Sequence, residues 1–213
     1  MAIHLSEFDA KENKSQDLFL KSLFNDIVPA SFEEPKIVIL SGAMGSGKSI
    51  AVQYALNLLC SDYPGLQTIV GRISIKDVKR TFFAEFKIMT PSSLLSSDTK
   101  EEMVFKNGSK VGIAGWGGGD TSSLRSLNLN VAVIEEVTQD AIKQGYFELN
   151  KRALTEFIGR IRGKDRPNLI FLVSNPDSPS HWLYEDYIQY ARYVNGKNRV
   201  DLIKKIMFIY SIQ

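Results

Sequence analysis

The run GAMGSGKS at residues 42–49 constrains the fold more tightly than anything else in this chain. It completes the pattern G-x-x-x-x-G-K-S, with the β-branched run KIVILS at 36–41 before it and an amphipathic stretch from Lys48 to Cys60 after it. Glycines let backbone N–H groups close around a phosphate, and the start of the following helix adds positive potential. A glycine turn before a helix can be purely structural. The full pattern between a strand and a helix instead predicts a phosphate-binding loop made of Gly42, Ala43, Met44, Gly45, Ser46, Gly47, Lys48 and Ser49. In that loop Lys48 reaches the β- and γ-phosphates of a nucleotide such as ATP, and Ser49 ligates Mg2+.

The remaining pattern alternates. Strands are predicted at 36–41, 67–72, 130–136, 168–176 and 204–212, and helices at 48–60, 75–89, 140–159 and 180–194. Residues 103–116 read as a hairpin around Asn107-Gly108. Residues 1–35 form a lead-in with one amphipathic piece, QDLFLKSLFNDI, and 36–213 form a single domain. Alternating strands and helices predict an α/β fold with a mostly parallel central sheet and helices on both faces. Ligands of such sheets bind beyond the carboxyl ends of the strands.

Composition adds limits. The 213 residues suffice for one substantial core, and a net charge of +2 does not by itself announce a nucleic-acid binder. The single cysteine, Cys60, excludes an internal disulfide and fits a reducing compartment. No apolar run approaches the ~20 residues of a membrane span. The N-terminus lacks the basic start and apolar middle of a signal peptide, so a cytoplasmic protein is expected.

Three further segments carry chemistry. In VAVIEEV, Glu135 and Glu136 close a buried strand. The first acid of such a pair can hold Mg2+, and the second can polarise an attacking water. The alternative is a solvated acidic pair opening a helix. In VSNP, Ser174, Asn175 and Pro176 end another strand, where they either sense the γ-phosphate or simply terminate the strand. Glycines 115, 117, 118 and 119 predict a mobile loop, followed by Arg125, which is either a catalytic arginine or a surface one. Basic clusters at Arg72, Lys76, Lys79, Arg80 and Lys87, and at Arg160, Arg162, Lys164 and Arg166, are solvated faces or phosphate-backbone contacts.

Taken in order, GAMGSGKS, F-KNGSKVGIAGW, LRSLNLNVAVIEEV, RIRG and LVSNPDSPSHWLYEDY resemble the ATPase half of bacteriophage terminase large subunits, over residues 36–213. The resemblance implies a P-loop ATPase of the additional-strand, catalytic-glutamate type that drives double-stranded DNA into a procapsid. It implies Glu135 as the Walker B acid, Glu136 as catalytic glutamate, Ser174-Asn175-Pro176 as coupling motif and Arg125 as an arginine finger acting on a neighbouring subunit. It also implies a homo-oligomeric ring, a portal protein, a small terminase subunit and work in the host cytoplasm, with no membrane. The GRIRG segment would relay movement to the DNA grip.

The chain departs from the family pattern. Met44 stands where many relatives carry an arginine, which favours Arg125 as the finger, and Glu135 replaces an aspartate. Gln16 is the candidate for an adenine-contacting glutamine. No acidic cluster follows the ATPase motifs to hold the metals of a nuclease domain, so no DNA cleavage is expected from this chain. A helicase or other DNA-stimulated motor shares the chemistry. A small-molecule kinase would need an acceptor pocket, and a non-hydrolysing module would have no use for Glu136.

Overall fold

The computed structural model describes residues 14–119, 121–142 and 148–190, together with strand backbone at 193–194, 197–198 and 207–212. The expected lead-in residues 1–13, part of the expected helix at 143–147 and the start of the last expected strand lie outside the described residues.

The strands are β1 (Lys36–Gly42), β2 (Gln67–Arg72), β3 (Leu95–Asp98), β4 (Glu102–Phe105), β5 (Lys110–Gly115), β6 (Val131–Ile134), β7 (Leu169–Ser174), β8 (Tyr193–Val194), β9 (Lys197–Asn198) and β10 (Met207–Ile212). They form one sheet in the order β3-β4-β5-β2-β6-β7-β1-β10-β8-β9. From β5 across to β8 every pairing is parallel, and only the outer strands pair antiparallel. The expected parallel sheet is therefore present, with β3, β8 and β9 added beyond the sequence reading.

Side chains alternate across a strand, so a strand buried on both faces feeds two cores. In β7, Leu169, Phe171 and Val173 join one core, and Ile170 and Leu172 the other. Val131 and Val133 of β6 likewise face away from Ala132 and Ile134. The first core is completed by α1 (Lys14–Ser22), α3 (Lys48–Asp62), α4 (Ile75–Arg80) and α5 (Phe82–Met89), with the short α2 (Val28–Ala30) beside them. The second is covered by α6 (Leu149–Arg160) and α7 (Trp182–Asp186). Helices thus lie on both faces. Among the described residues, no helix is long and apolar enough to cross a membrane.

Four local differences have physical causes. The helix expected at 75–89 is broken at Thr81 (φ −107°, ψ −95°), which re-aims α5 so that Phe82, Phe83 and Phe86 are all buried. The helix expected from 140 starts at Leu149, because 137–142 form a 3₁₀ turn at the end of β6. The segment expected as one helix over 180–194 is a short helix, a 3₁₀ turn and strand β8, which pairs with β10. Asn107-Gly108 does turn a hairpin, with Gly108 at φ 84°, and Asn107 Nδ2 also caps α3 by donating to Cys60 O at 2.7 Å. Cys60 is free and buried, and burial pushes its thiol up to about 12.

The described part of the lead-in is built into the domain. Phe19 is fully buried and meets Phe171 edge-on, with ring centroids 6.3 Å apart. Phe19→Ala should destabilise the chain by about 3–5 kcal/mol, the usual result of truncating a core aromatic. Urea denaturation of the two proteins measures this directly.

Candidate phosphate and hydrolysis site

The site lies at the carboxyl ends of β1, β7, β6 and β2. The register places Leu40 beside Val173, Ile134 beside Leu172 and Gly71 beside Ile134. The segments leaving these four strands therefore emerge at one edge of the sheet. After β1 the loop turns through Gly45 and Gly47, at φ 77° and 81°, a region that side chains with a Cβ rarely occupy. Helix α3 then begins at Lys48.

Gln16, on α1, touches the back of this loop. Its Nε2 donates to Ser46 O at 3.1 Å, and a Cβ built on Gly47 would stand 2.6 Å from the same nitrogen. Gly47 is thus required by its φ, and a side chain there would displace the Gln16 amide. In this structure Gln16 holds the loop.

Lys48 is folded into the loop. Its ammonium donates to Gly42 O and Ala43 O, both at 2.8 Å, to Ser46 Oγ at 3.3 Å and to Asn175 Oδ1 at 3.2 Å. Burial lowers its pKa, opposed by the charges of Glu136 and Glu135. Ser49 Oγ donates to Glu135 Oε1 at 2.9 Å, across 86 residues of sequence. Loop serine and strand-end acid are thus in direct contact.

Glu135 is buried, and its N–H donates to Gly71 O of β2 at 2.9 Å. Burial pushes its carboxyl up to about 7. The Ser49 hydrogen bond opposes this, Glu136 reinforces it, and Arg72 and Lys48 oppose it. Glu136 sits at φ 53°, left-handed for a residue with a side chain. It lines one cleft with residues 44–49, Ser174 and Asn175. Glu85 of α5 lines the same cleft, a carboxylate that the sequence reading missed. Also missed were Asn150, which donates to Val137 O at 2.7 Å, and Thr138, whose hydroxyl donates to Asn175 O at 3.4 Å. No motif marks these residues, because their roles come from chain crossings distant in sequence.

Strands β6 and β7 are neighbours, which brings Ser174 and Asn175 into one cleft with Glu136. Ser174 Oγ donates to Asn175 O at 2.7 Å, and Pro176 lies just beyond, in a second cleft with His181 and Tyr184. Arg125 is not brought to the cleft of Glu136 in its own chain. It is exposed, and its Nε donates to Glu156 of α6 at 2.9 Å. In the first basic cluster, Arg72 turns inward to Gln139 at 3.0 Å, while Lys79 and Lys87 pair with Glu101 and Asp98, each at 2.5 Å. In the second, Arg166 Nε binds Pro64 O at 2.8 Å. Ile161 of GRIRG bridges to Leu129, at the opposite end of β6 from Glu135.

Two oxygen donors, Ser49 Oγ and Glu135 Oε1, meet at one point. Among the described residues no group of three or more His, Cys, Asp or Glu could hold a metal alone. That donor set suits Mg2+, which takes one or two protein ligands and fills its sphere with phosphate and water.

A family model described as phage terminase large subunit matches residues 34–206. The chain belongs to that family. Its fold is also that of solved terminases. The large terminase of a thermophilic bacteriophage superposes with a TM-score of 0.67 at 17% identity, covering 94% of this chain and 45% of that one. The same phage's large terminase in complex with ATP-gamma-S gives 0.64 at 14% identity, with the same coverages. The large terminase ATPase domain of Thermus phage P74-26 gives 0.54 at 14% identity, covering 92% of this chain and 84% of that one. The chain therefore spans less than half the length of the first of these large terminases. The sequence matches none of the curated proteins with which it was compared.

A pH prediction comes from Glu135. Its folded pKa is raised from 4.5 to about 7, so the folded state binds the proton more tightly than the unfolded chain does. In chelator-treated, nucleotide-free protein this contribution is full below the unfolded value and is lost as pH rises through about 7. Thermal unfolding of Glu135→Gln should lack that loss, and the variant should exceed wild type in stability on the alkaline side.

Proposed function

We propose that this chain is an ATPase that uses Mg2+, and that it works as part of a terminase ring moving double-stranded viral DNA into a procapsid. The observation carrying the proposal is the 2.9 Å contact of Ser49 with Glu135, with Lys48 and Glu136 lining the same cleft. A glycine loop, a lysine, a hydroxyl and two carboxylates at one edge form the set needed to bind a triphosphate and direct water at it. The relative solved with ATP-gamma-S supports a nucleotide ligand.

In this reading the backbone N–H groups of residues 43–48 and the first turn of α3 hold the phosphates. Lys48 exchanges its loop carbonyls for phosphate oxygens. Ser49 and Glu135 would hold Mg2+, which when bound would offset charge on the phosphates. Glu136 orients the attacking water and accepts its proton. The hydrogen bond from Lys48 to Asn175 ties occupancy of the loop to the end of β7, so Ser174, Asn175 and Pro176 register hydrolysis as the coupling segment.

Arg125 is exposed and lies outside its own cleft, so any part it plays in hydrolysis is played in the cleft of a neighbouring copy. The portal protein, the small terminase subunit and the host cytoplasm belong to the same reading. Contacts to DNA would be to phosphates, and therefore salt-dependent.

Steady-state ATP hydrolysis against protein concentration tests the proposal. Specific activity should rise with concentration, and Glu136→Ala and Arg125→Ala should each lose about 10³-fold. Mixing the two variants should restore part of the activity, since a mixed ring contains intact composite sites. Activity independent of concentration and of Arg125 would remove the shared site. Activity independent of Glu136 would remove the assigned general base.

A further inference from the structure

Glu136 holds a left-handed backbone conformation, φ 53°, without being glycine. Such a conformation persists only where the surroundings over-determine it. The surroundings here are specific. Asn150, fully buried in the first turn of α6, donates from Nδ2 to Val137 O at 2.7 Å and to Glu136 O at 3.3 Å. Its Oδ1 accepts from the indole Nε1 of Trp116 at 2.9 Å. The indole can only donate and the carbonyls can only accept, so this network permits one orientation of the amide.

Trp116 is itself immobilised. It is 1% exposed, meets Phe157 edge-on at 5.9 Å, and lies so close to β2 that a Cβ on Gly71 would stand 2.3 Å from its ring. Gly71 is also the residue whose carbonyl receives the N–H of Glu135. The indole is therefore wedged beside the β2 residue that holds the main chain of Glu135.

We propose that Asn150 is a positioning residue for Glu136, setting the carboxylate through the main chain of residues 136–137, and that Trp116 fixes Asn150 in turn. The inference rests on the reading of Glu136 as general base. Asn150 touches no reacting atom. Its contribution is to keep the turn after β6 in the one conformation that faces the Glu136 side chain into the cleft.

The test uses the full 213-residue chain and two measurements, single-turnover ATP hydrolysis and equilibrium binding of ATP-gamma-S. Asn150→Ala should slow hydrolysis about 10- to 100-fold, the scale of a misplaced catalytic group, while ATP-gamma-S affinity stays at the wild-type value. Trp116→Phe keeps an aromatic ring but deletes the donor together with part of the buried indole, so its stability is measured alongside. It should slow hydrolysis by a smaller factor, again with affinity unchanged. A folded Asn150→Ala that hydrolyses at the wild-type rate overturns the proposal. So does a parallel fall of rate and affinity, which marks general damage. If Asn150→Ala does not fold, Trp116→Phe decides, and an unchanged rate overturns the proposal. Glu136→Gln separates the two levels. If it keeps wild-type turnover, the general-base reading fails and this inference with it; if it is inactive while the Asn150 and Trp116 variants are normal, only this inference fails.

Discussion

In the β6–β7–β1 trio, Ile134 lies opposite Leu172 and Val173 opposite Leu40, so the chain leaves all three strands at the same edge of the sheet. Every other feature of the site depends on that register. Parallel pairing puts the carboxyl ends on one edge, and side-chain alternation fills both cores only when the register is right. A slip of one residue would turn Phe171 and Val133 toward the wrong helices. It would also part Ser49 from Glu135.

The site stores unfavourable features that the fold must offset. A carboxylate is buried at Glu135, a lysine is desolvated at Lys48, and Glu136 stands in a left-handed conformation. Each is held by partners from other elements: Ser49 on α3, the carbonyls of Gly42 and Ala43, and Asn150 on α6. This arrangement is expected where charges are kept in place for a ligand that will complete them. The described lead-in is integral through contacts of its own. Through Gln16 and Phe19, α1 touches both the glycine loop and the core behind it.

Legibility in the sequence varied by segment for identifiable reasons. The loop at 42–49, the strands at 36, 67 and 131, and the hairpin at Asn107-Gly108 were readable because their signals are local: glycine φ requirements, β-branched runs and turn chemistry. The helix expected over 75–89 failed at Thr81, where burial of adjacent phenylalanines outweighs helical continuity. The segment around 180–194 failed because its last residues pair with β10, a partner invisible to periodicity. Of the basic residues read as two clusters, Lys79 and Lys87 form ion pairs, Arg72 an inward hydrogen bond and Arg166 a carbonyl contact, which charge spacing does not reveal.

The sequence alone determined the glycine loop, the acidic pair and the alternation that yields a parallel sheet, because each is written in contiguous residues with their own conformational demands. Only the tertiary structure decided that Ser49 meets Glu135, that Asn175 reaches Lys48, that Gln16 backs the loop, and that Asn150 and Trp116 brace Glu136. It also decided that Arg125 leaves its own cleft. Those contacts join residues between 14 and 127 positions apart. Their existence depends on strand order and register, which are settled by packing both faces of the sheet at once and by no segment alone.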